Sequence, residues 1–107
     1  MTELQVPLRV VIVDDEELAR LALRQHLTTL GNIDIVGECS NGFEAIKAAS
    51  ELKPDVMLLD VQMPKIDGFE VLEVIGRDIP VIFVTAYDEF ALRAFEVNGF
   101  SLSLIHI

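Results

Sequence analysis

Pro54-Asp55-Val56-Met57-Leu58-Leu59-Asp60-Val61-Gln62-Met63-Pro64-Lys65-Ile66-Asp67-Gly68 is the stretch on which the fold reading turns. An apolar run ends abruptly on one carboxylate, Asp60. Four residues later Pro64 bars a simple continuation of either strand or helix. Asp67-Gly68 then opens a new amphipathic segment. The pattern is that of a buried strand delivering a single acidic group to the rim of a sheet.

Outward from that run, strand and helix patterns alternate. Upstream, Leu8-Arg9-Val10-Val11-Ile12-Val13 is β-branched and apolar, as a strand buried on both faces requires. It ends on Asp14-Asp15-Glu16-Glu17, acids suited to cap and favour the N-terminus of a following helix. That helix is predicted to run to about Leu30, with Ala19, Leu23, Leu27 and Leu30 facing inward and Gly31 as its stop. Ile33 to Cys39 alternates as an edge strand should. Asn41-Gly42-Phe43-Glu44 starts a second helix with a capping-box spacing, its apolar face supplied by Ala45, Ile46, Ala49 and Leu52. Downstream, Asp67-Gly68-Phe69-Glu70 repeats the helix start, and Phe69, Val71, Leu72 and Ile75 form its inner face. Pro80 to Val84 is a short buried strand ending at Thr85. Asp88 to Val97 fits a fourth helix, and Phe100 to Ile107 a fifth strand. Such alternation predicts an α/β fold, a doubly wound parallel sheet with helices on both faces. In such folds the working crevice lies at the carboxyl ends of the strands. Asp14, Asp15, Asp60 and Thr85 all fall on that rim.

The bulk numbers bound the function. A chain of 107 residues with 51% hydrophobic content and a mean hydropathy of +0.44 is one ordered domain. Eight basic against eighteen acidic residues give a net charge of −10, which disfavours nucleic acid or anionic lipid and suits a cation or a basic protein surface. The lone Cys39 suits a reducing, cytoplasmic setting and lacks a neighbouring cation to activate it. His26 has no second His or Cys at ligand spacing. The start carries no signal-peptide pattern. The longest apolar run, Ile79 to Ala86, is far short of the ~20 residues of a membrane helix.

Three carboxylates converging on one rim repel one another unless protons or a cation compensate. Mg²⁺ is the economical answer, because it takes oxygen ligands, keeps waters and is commonly shared with a phosphate. A carboxylate beside it can attack phosphorus to give an aspartyl phosphate, and the Thr85 hydroxyl is suited to donate to the transferred group. Taken singly, Asp15 and Asp67 read as helix caps and Thr85 as an ordinary strand-end threonine. Their clustering favours function.

Val11-Ile12-Val13-Asp14-Asp15-Glu16, Asp60-Val61-Gln62-Met63-Pro64-Lys65-Ile66-Asp67-Gly68 and Val84-Thr85-Ala86 together resemble the receiver domain of bacterial two-component response regulators. The run from Thr85 to Asn98 is similar to the subfamily with a LytTR-type DNA-binding output. The resemblance implies a flavodoxin-like five-stranded sheet of order 2-1-3-4-5. It implies a phosphoacceptor rather than a turnover enzyme, with Asp60 phosphorylated by a sensor histidine kinase or small phosphodonors. It further implies Mg²⁺ held by Asp14, Asp15, Asp60 and the backbone carbonyl of Gln62, and Thr85 as the switch residue. Two alternatives stand beside it. One is a non-phosphorylated docking module of the same fold. The other is a Mg²⁺-dependent aspartyl-phosphate phosphohydrolase, which Gln62 argues against because such enzymes carry an acid two residues after the nucleophile.

The resemblance covers residues 8 to 99 and then collapses. Ile105 stands where the family's phosphate-contacting lysine is expected, His106 replaces the proline after it, and Leu102 occupies the usual place of a switch aromatic. Either the divergence is native or Ser101 to Ile107 is a foreign tail resembling translated sequencing-adapter read-through. The abruptness favours the tail. The reading is thus of one receiver domain over 1–107, atypical over 100–107, with the family's last helix and the DNA-binding output domain missing. Loss of that helix is expected to leave apolar surface beside the first helix, making the chain marginal or prone to associate, for instance as a homodimer.

Overall fold

Along the continuously apolar central strands, successive side chains point to opposite layers. The structure, a computed structural model, describes residues 6–85 and 102–106. Its elements are β1 (Leu8–Val13), α1 (Glu17–Leu30), β2 (Ile33–Cys39), α2 (Gly42–Leu52), β3 (Val56–Asp60), α3 (Gly68–Ile75), β4 (Val81–Thr85) and β5 (Leu102–His106). All strand pairs are parallel, and the sheet order is β2-β1-β3-β4-β5. The expected doubly wound architecture and strand order are both present. The helix expected over Asp88 to Val97 lies outside the described residues.

Val11, Val13, Met57, Leu59 and Phe83 pack on one face with Ala45, Ala49, Phe69, Val71 and Leu72 of α2 and α3. The Phe69 and Phe83 rings meet at 4.8 Å between centroids, inclined by 48°. Val10, Ile12, Val56, Leu58 and Val84 form the other face, against Leu23 and Leu27 of α1. Full burial of such side chains contributes about 1.5–3 kcal/mol each, so the central strands β1, β3 and β4 carry most of the stability.

The two faces are not equally covered. α1 has no buried residue, and Ala19, Leu23 and Leu27 are only half-buried. Leu30, expected on the inner face, is 73% exposed, as is Leu18 at 77%. Leu30 is the last residue of α1, and beyond it Gly31 and Asn32, both at positive φ, turn the chain directly into β2. α1 also departs from expectation at its start: Glu16 is the N-cap and makes no side-chain cap hydrogen bond. Asp14 lies too early to cap, and its Oδ1 instead accepts from the Glu16 N–H at 2.9 Å.

At the other helix starts the caps follow the sequence reading, but the expected capping box closes only at α3. Asn41 caps α2 by accepting from the Glu44 N–H, while Glu44 reaches one residue further back, to the Ser40 N–H and hydroxyl. Asp67 and Glu70 form a complete reciprocal capping box at α3. Among the described residues no helix is long and apolar enough to cross a membrane.

Candidate functional site

The rim site is assembled by strand register. Val13 of β1 pairs with Leu59 of β3, so Asp14 and Asp60 are the next residues on two neighbouring strands. Adjacent strands lie about 4.8 Å apart, which brings together two carboxylates separated by 46 positions in sequence. Asp15 follows on the loop. Asp14 is buried, Asp60 half-buried and Asp15 exposed, and one carboxylate oxygen from each lies within 4.8 Å of the others. Among the described residues this trio is the one cluster of His, Cys, Asp or Glu able to hold a metal ion.

The loop after Asp60 is pinned rather than loose. Val61 and Met63 are buried, the Gly68 N–H donates to the Val61 carbonyl at 2.8 Å, and the Ile66 N–H donates to the Pro64 carbonyl at 2.9 Å. Lys65 takes φ +72° to complete the turn. A Cβ on Gly68 would stand 2.5 Å from the Asp60 carbonyl oxygen and 3.0 Å from the Val61 Cα. Only glycine lets α3 begin this close to the end of β3. Asp67 is accounted for by its cap, whereas Asp15 makes no cap and stays with the cluster.

A cleft of about 410 Å³ opens over Asp60 and Asp15, walled by Glu16, Gln62, Met63 and Pro64. A larger concavity of about 540 Å³ lies between α2 and α3 among Ile46, Lys53, Val74 and Ile79, away from the trio. It offers no convergent acids, so the smaller cleft is the candidate site. The Gln62 N–H lies 3.4 Å from Asp60 Oδ1, which places that residue's backbone at the trio's edge. Thr85 ends β4, one position beyond Val84, the register partner of Asp60. Ile105 of β5 pairs in turn with Val84, and His106 with Thr85.

Electrostatics follow from this crowding. Burial, then the neighbouring Asp14 charge, push the Asp60 carboxyl up to about 7, against the lowering pull of the Gln62 N–H. Burial likewise raises Asp14, opposed by the Glu16 N–H. Burial pushes the Cys39 thiol to about 11, so it is inert as a nucleophile at neutral pH. His26 is exposed on α1 and joins no metal cluster.

Three residues that the sequence did not single out also converge on this end of the sheet. Arg20 Nη1 donates to the Asp14 carbonyl at 2.7 Å. Glu38 of β2 takes a two-pronged hydrogen bond from Arg24 at 2.7 and 2.9 Å and lies 3.8 Å from Arg20 Nε. Arg20 and Arg24 are a helical turn apart, a spacing visible in sequence. Their meeting with Glu38 depends on β1–β2 pairing, which is not.

Comparison with known proteins agrees with this geometry. The response regulator receiver domain family matches residues 10–101. The chain is 52% identical over 99 residues to an uncharacterised response regulatory protein of Yersinia pestis, covering 91% of this chain and 42% of that protein. It is 46% identical over 99 residues to the transcriptional regulatory protein BtsR of Escherichia coli K12, covering 91% and 41%. The chain thus spans about two fifths of the length of the curated relatives it matches. A CheX–CheY complex with BeF₃ and Mg²⁺ from Borrelia burgdorferi contains a similar structure, with a TM-score of 0.82 and 27% identity, covering 100% of this chain and 83% of that one. This chain belongs to the response regulator receiver family, the regulatory phosphoacceptor domains of two-component systems, which are not turnover enzymes.

Proposed function

We propose that Asp60 is the phosphoacceptor of this receiver and that a sensor histidine kinase supplies the phosphoryl group. The observation that carries the reading is the trio itself: Asp14, Asp15 and Asp60 with oxygens inside 4.8 Å at the carboxyl ends of β1 and β3. Three carboxylates at that distance, one of them buried, need a compensating charge, and a hard divalent cation with oxygen preference fits the donor set. Asp14, Asp15 and Asp60 would hold it, with the Gln62 carbonyl as a further ligand. Mg²⁺ there would neutralise the trio and draw charge from phosphoryl oxygens. That a similar structure is a complex with BeF₃ and Mg²⁺ supports a Mg²⁺-dependent reading.

In the reaction, an Asp60 carboxylate oxygen bonds to phosphorus while the bond from phosphorus to the donor's nitrogen or oxygen breaks, its electron pair leaving with the donor. The pinned loop from Val61 to Gly68 holds the nucleophile still during that displacement. Thr85, one register step past Asp60, is the residue we assign to sensing the product, through a hydroxyl contact that shifts the balance between two conformations. A DNA-binding output and its control are proposed for the whole protein because the BtsR relative is a transcriptional regulator. The finer assignment to a LytTR-type subfamily rests on the run Thr85 to Asn98 alone; the comparisons support the family and not that subfamily.

The test is intact-mass measurement after incubation with Mg²⁺ and acetyl phosphate. One phosphoryl adduct on the wild type, absent from Asp60→Asn and without Mg²⁺, is expected. Ile105→Lys, which restores the family's basic residue in the register row of Asp60 and Val84, is expected to lengthen the adduct's life. An adduct that persists in Asp60→Asn, or none in either the wild type or Ile105→Lys, refutes the assignment and leaves the docking-module reading.

A further inference from the structure

We propose that Arg20 is a positioning residue of the acidic site, anchored by Glu38 and holding the peptide between Asp14 and Asp15 so that both carboxylates face Asp60. This rests on reading the trio as a Mg²⁺ site. Asp14 is the first residue past the β1 ladder, and its N–H, its carbonyl and one carboxylate oxygen are each engaged. Its N–H donates to the Cys39 carbonyl at 3.0 Å, its Oδ1 accepts from the Glu16 N–H at 2.9 Å, and its carbonyl accepts from Arg20 Nη1 at 2.7 Å. With the N–H tied to β2 and the carbonyl tied to α1, the peptide leading to Asp15 cannot swing. A buried carbonyl beyond a strand end needs such a partner.

The arginine reaches that carbonyl because helical side chains lean toward the helix N-terminus. Arg20 sits in the first turn of α1, with its own N–H donating to the Glu16 carbonyl at 3.1 Å. Glu38 holds it from the other side, and Arg24 in turn fixes Glu38, keeping that carboxyl below the usual range. The side chains of Arg20 and Glu38 are 18% and 26% exposed, so this pair is partly covered while Arg24 stands at the surface. Arg20 spends its donor on a carbonyl, and among the described residues its one ion pair is with Glu38. It therefore leaves the trio's ligand oxygens unblocked.

Charge and position make opposite predictions, which makes the idea decidable. A cation near the trio repels Mg²⁺, so removing a purely electrostatic Arg20 would tighten binding. Removing a positioning Arg20 weakens it. Outer-shell partners of metal ligands typically carry about 10–100-fold in affinity. Calorimetric titration with Mg²⁺ is expected to show Arg20→Met about tenfold weaker than wild type, with Arg20→Lys intermediate because one donor and the charge remain. Glu38→Gln, which keeps Arg20 but loosens its anchor, is expected to fall about threefold. A second readout needs no metal: hydrogen exchange at the Glu16 amide should quicken in Arg20→Met while the Val11 amide keeps its protection, confirming an intact core. Unchanged or tighter Mg²⁺ binding in Arg20→Met overturns the proposal. If wild type binds no Mg²⁺, the reading of the trio fails separately, and the Glu16 exchange decides: faster supports positioning, unchanged refutes it. Should Arg20→Met not fold, Arg20→Lys and Glu38→Gln carry the same comparison.

Discussion

Asp60→Asn should stabilise the metal-free protein, and should do so only above the pH at which Asp60 ionises in the unfolded chain. The folded carboxyl titrates near 7 against an ordinary 3.8, because burial and Asp14 both oppose its charge. Below pH 4 folded and unfolded chains both hold the proton, and nothing is lost. Between 4 and 7 the unfolded chain has released it while the fold retains it, so stability falls as pH rises, and above 7 the loss is complete. At 1.36 kcal/mol per pH unit, roughly three units set a ceiling of about 4 kcal/mol. Asp60 is only half-buried, so solvent screening reduces this to about 1–2 kcal/mol. Urea unfolding with EDTA should therefore show Asp60→Asn more stable than wild type by about 1–2 kcal/mol at pH 8 and nearly equal at pH 4.5. Added Mg²⁺ should reverse the order at pH 8, since only the wild type keeps the full ligand set. A wild type whose metal-free stability rises from pH 4.5 to 8, or a mutant gap independent of pH, would refute the reasoning.

Three further outcomes follow from the packing. Gly68→Ala places a Cβ 2.5 Å from the Asp60 carbonyl oxygen; it is expected to lower stability by about 2 kcal/mol, within the range for overpacked sites, and to slow phosphorylation by acetyl phosphate, read by mass. Asp67→Ala breaks the α3 capping box and should cost about 1 kcal/mol in urea unfolding, yet leave the phosphoryl adduct intact, because Asp67 belongs to neither the trio nor the cleft lining. The thin cover that α1 gives its face predicts concentration-dependent association or a low-temperature melt for this 107-residue chain; light scattering showing a monodisperse monomer with a cooperative, high-temperature melt would overturn that.

Much of this was written locally in the sequence. Strand and helix alternation, the glycine stop at Gly31, the Asn41 and Asp67 caps and the arrival of Asp60 at a strand end depend on neighbours a few residues away. Patterning therefore reaches them. Leu59 to Asp60 reads as a buried run meeting a rim because burial on both faces leaves no polar position before the strand ends.

What tertiary structure decided is everything that depends on strand order and register. Asp14 falls on the predicted rim, but β1–β3 pairing is what sets it beside Asp60, and its side chain accepts from the Glu16 N–H while the helix cap goes without a side-chain partner. Leu30 fits the helical face by period, yet it is the last residue of α1 and stays exposed where Gly31 and Asn32 turn the chain into β2. Arg20 and Glu38 lie eighteen residues apart on α1 and β2, and neither stands out from an ordinary charged surface until β2 pairs with β1. The sequence by itself determined which residues could occupy the rim. Long-range pairing, driven by burial of the central strands, decided which of them meet, because contact between distant segments is a property of the packed sheet and not of any local run.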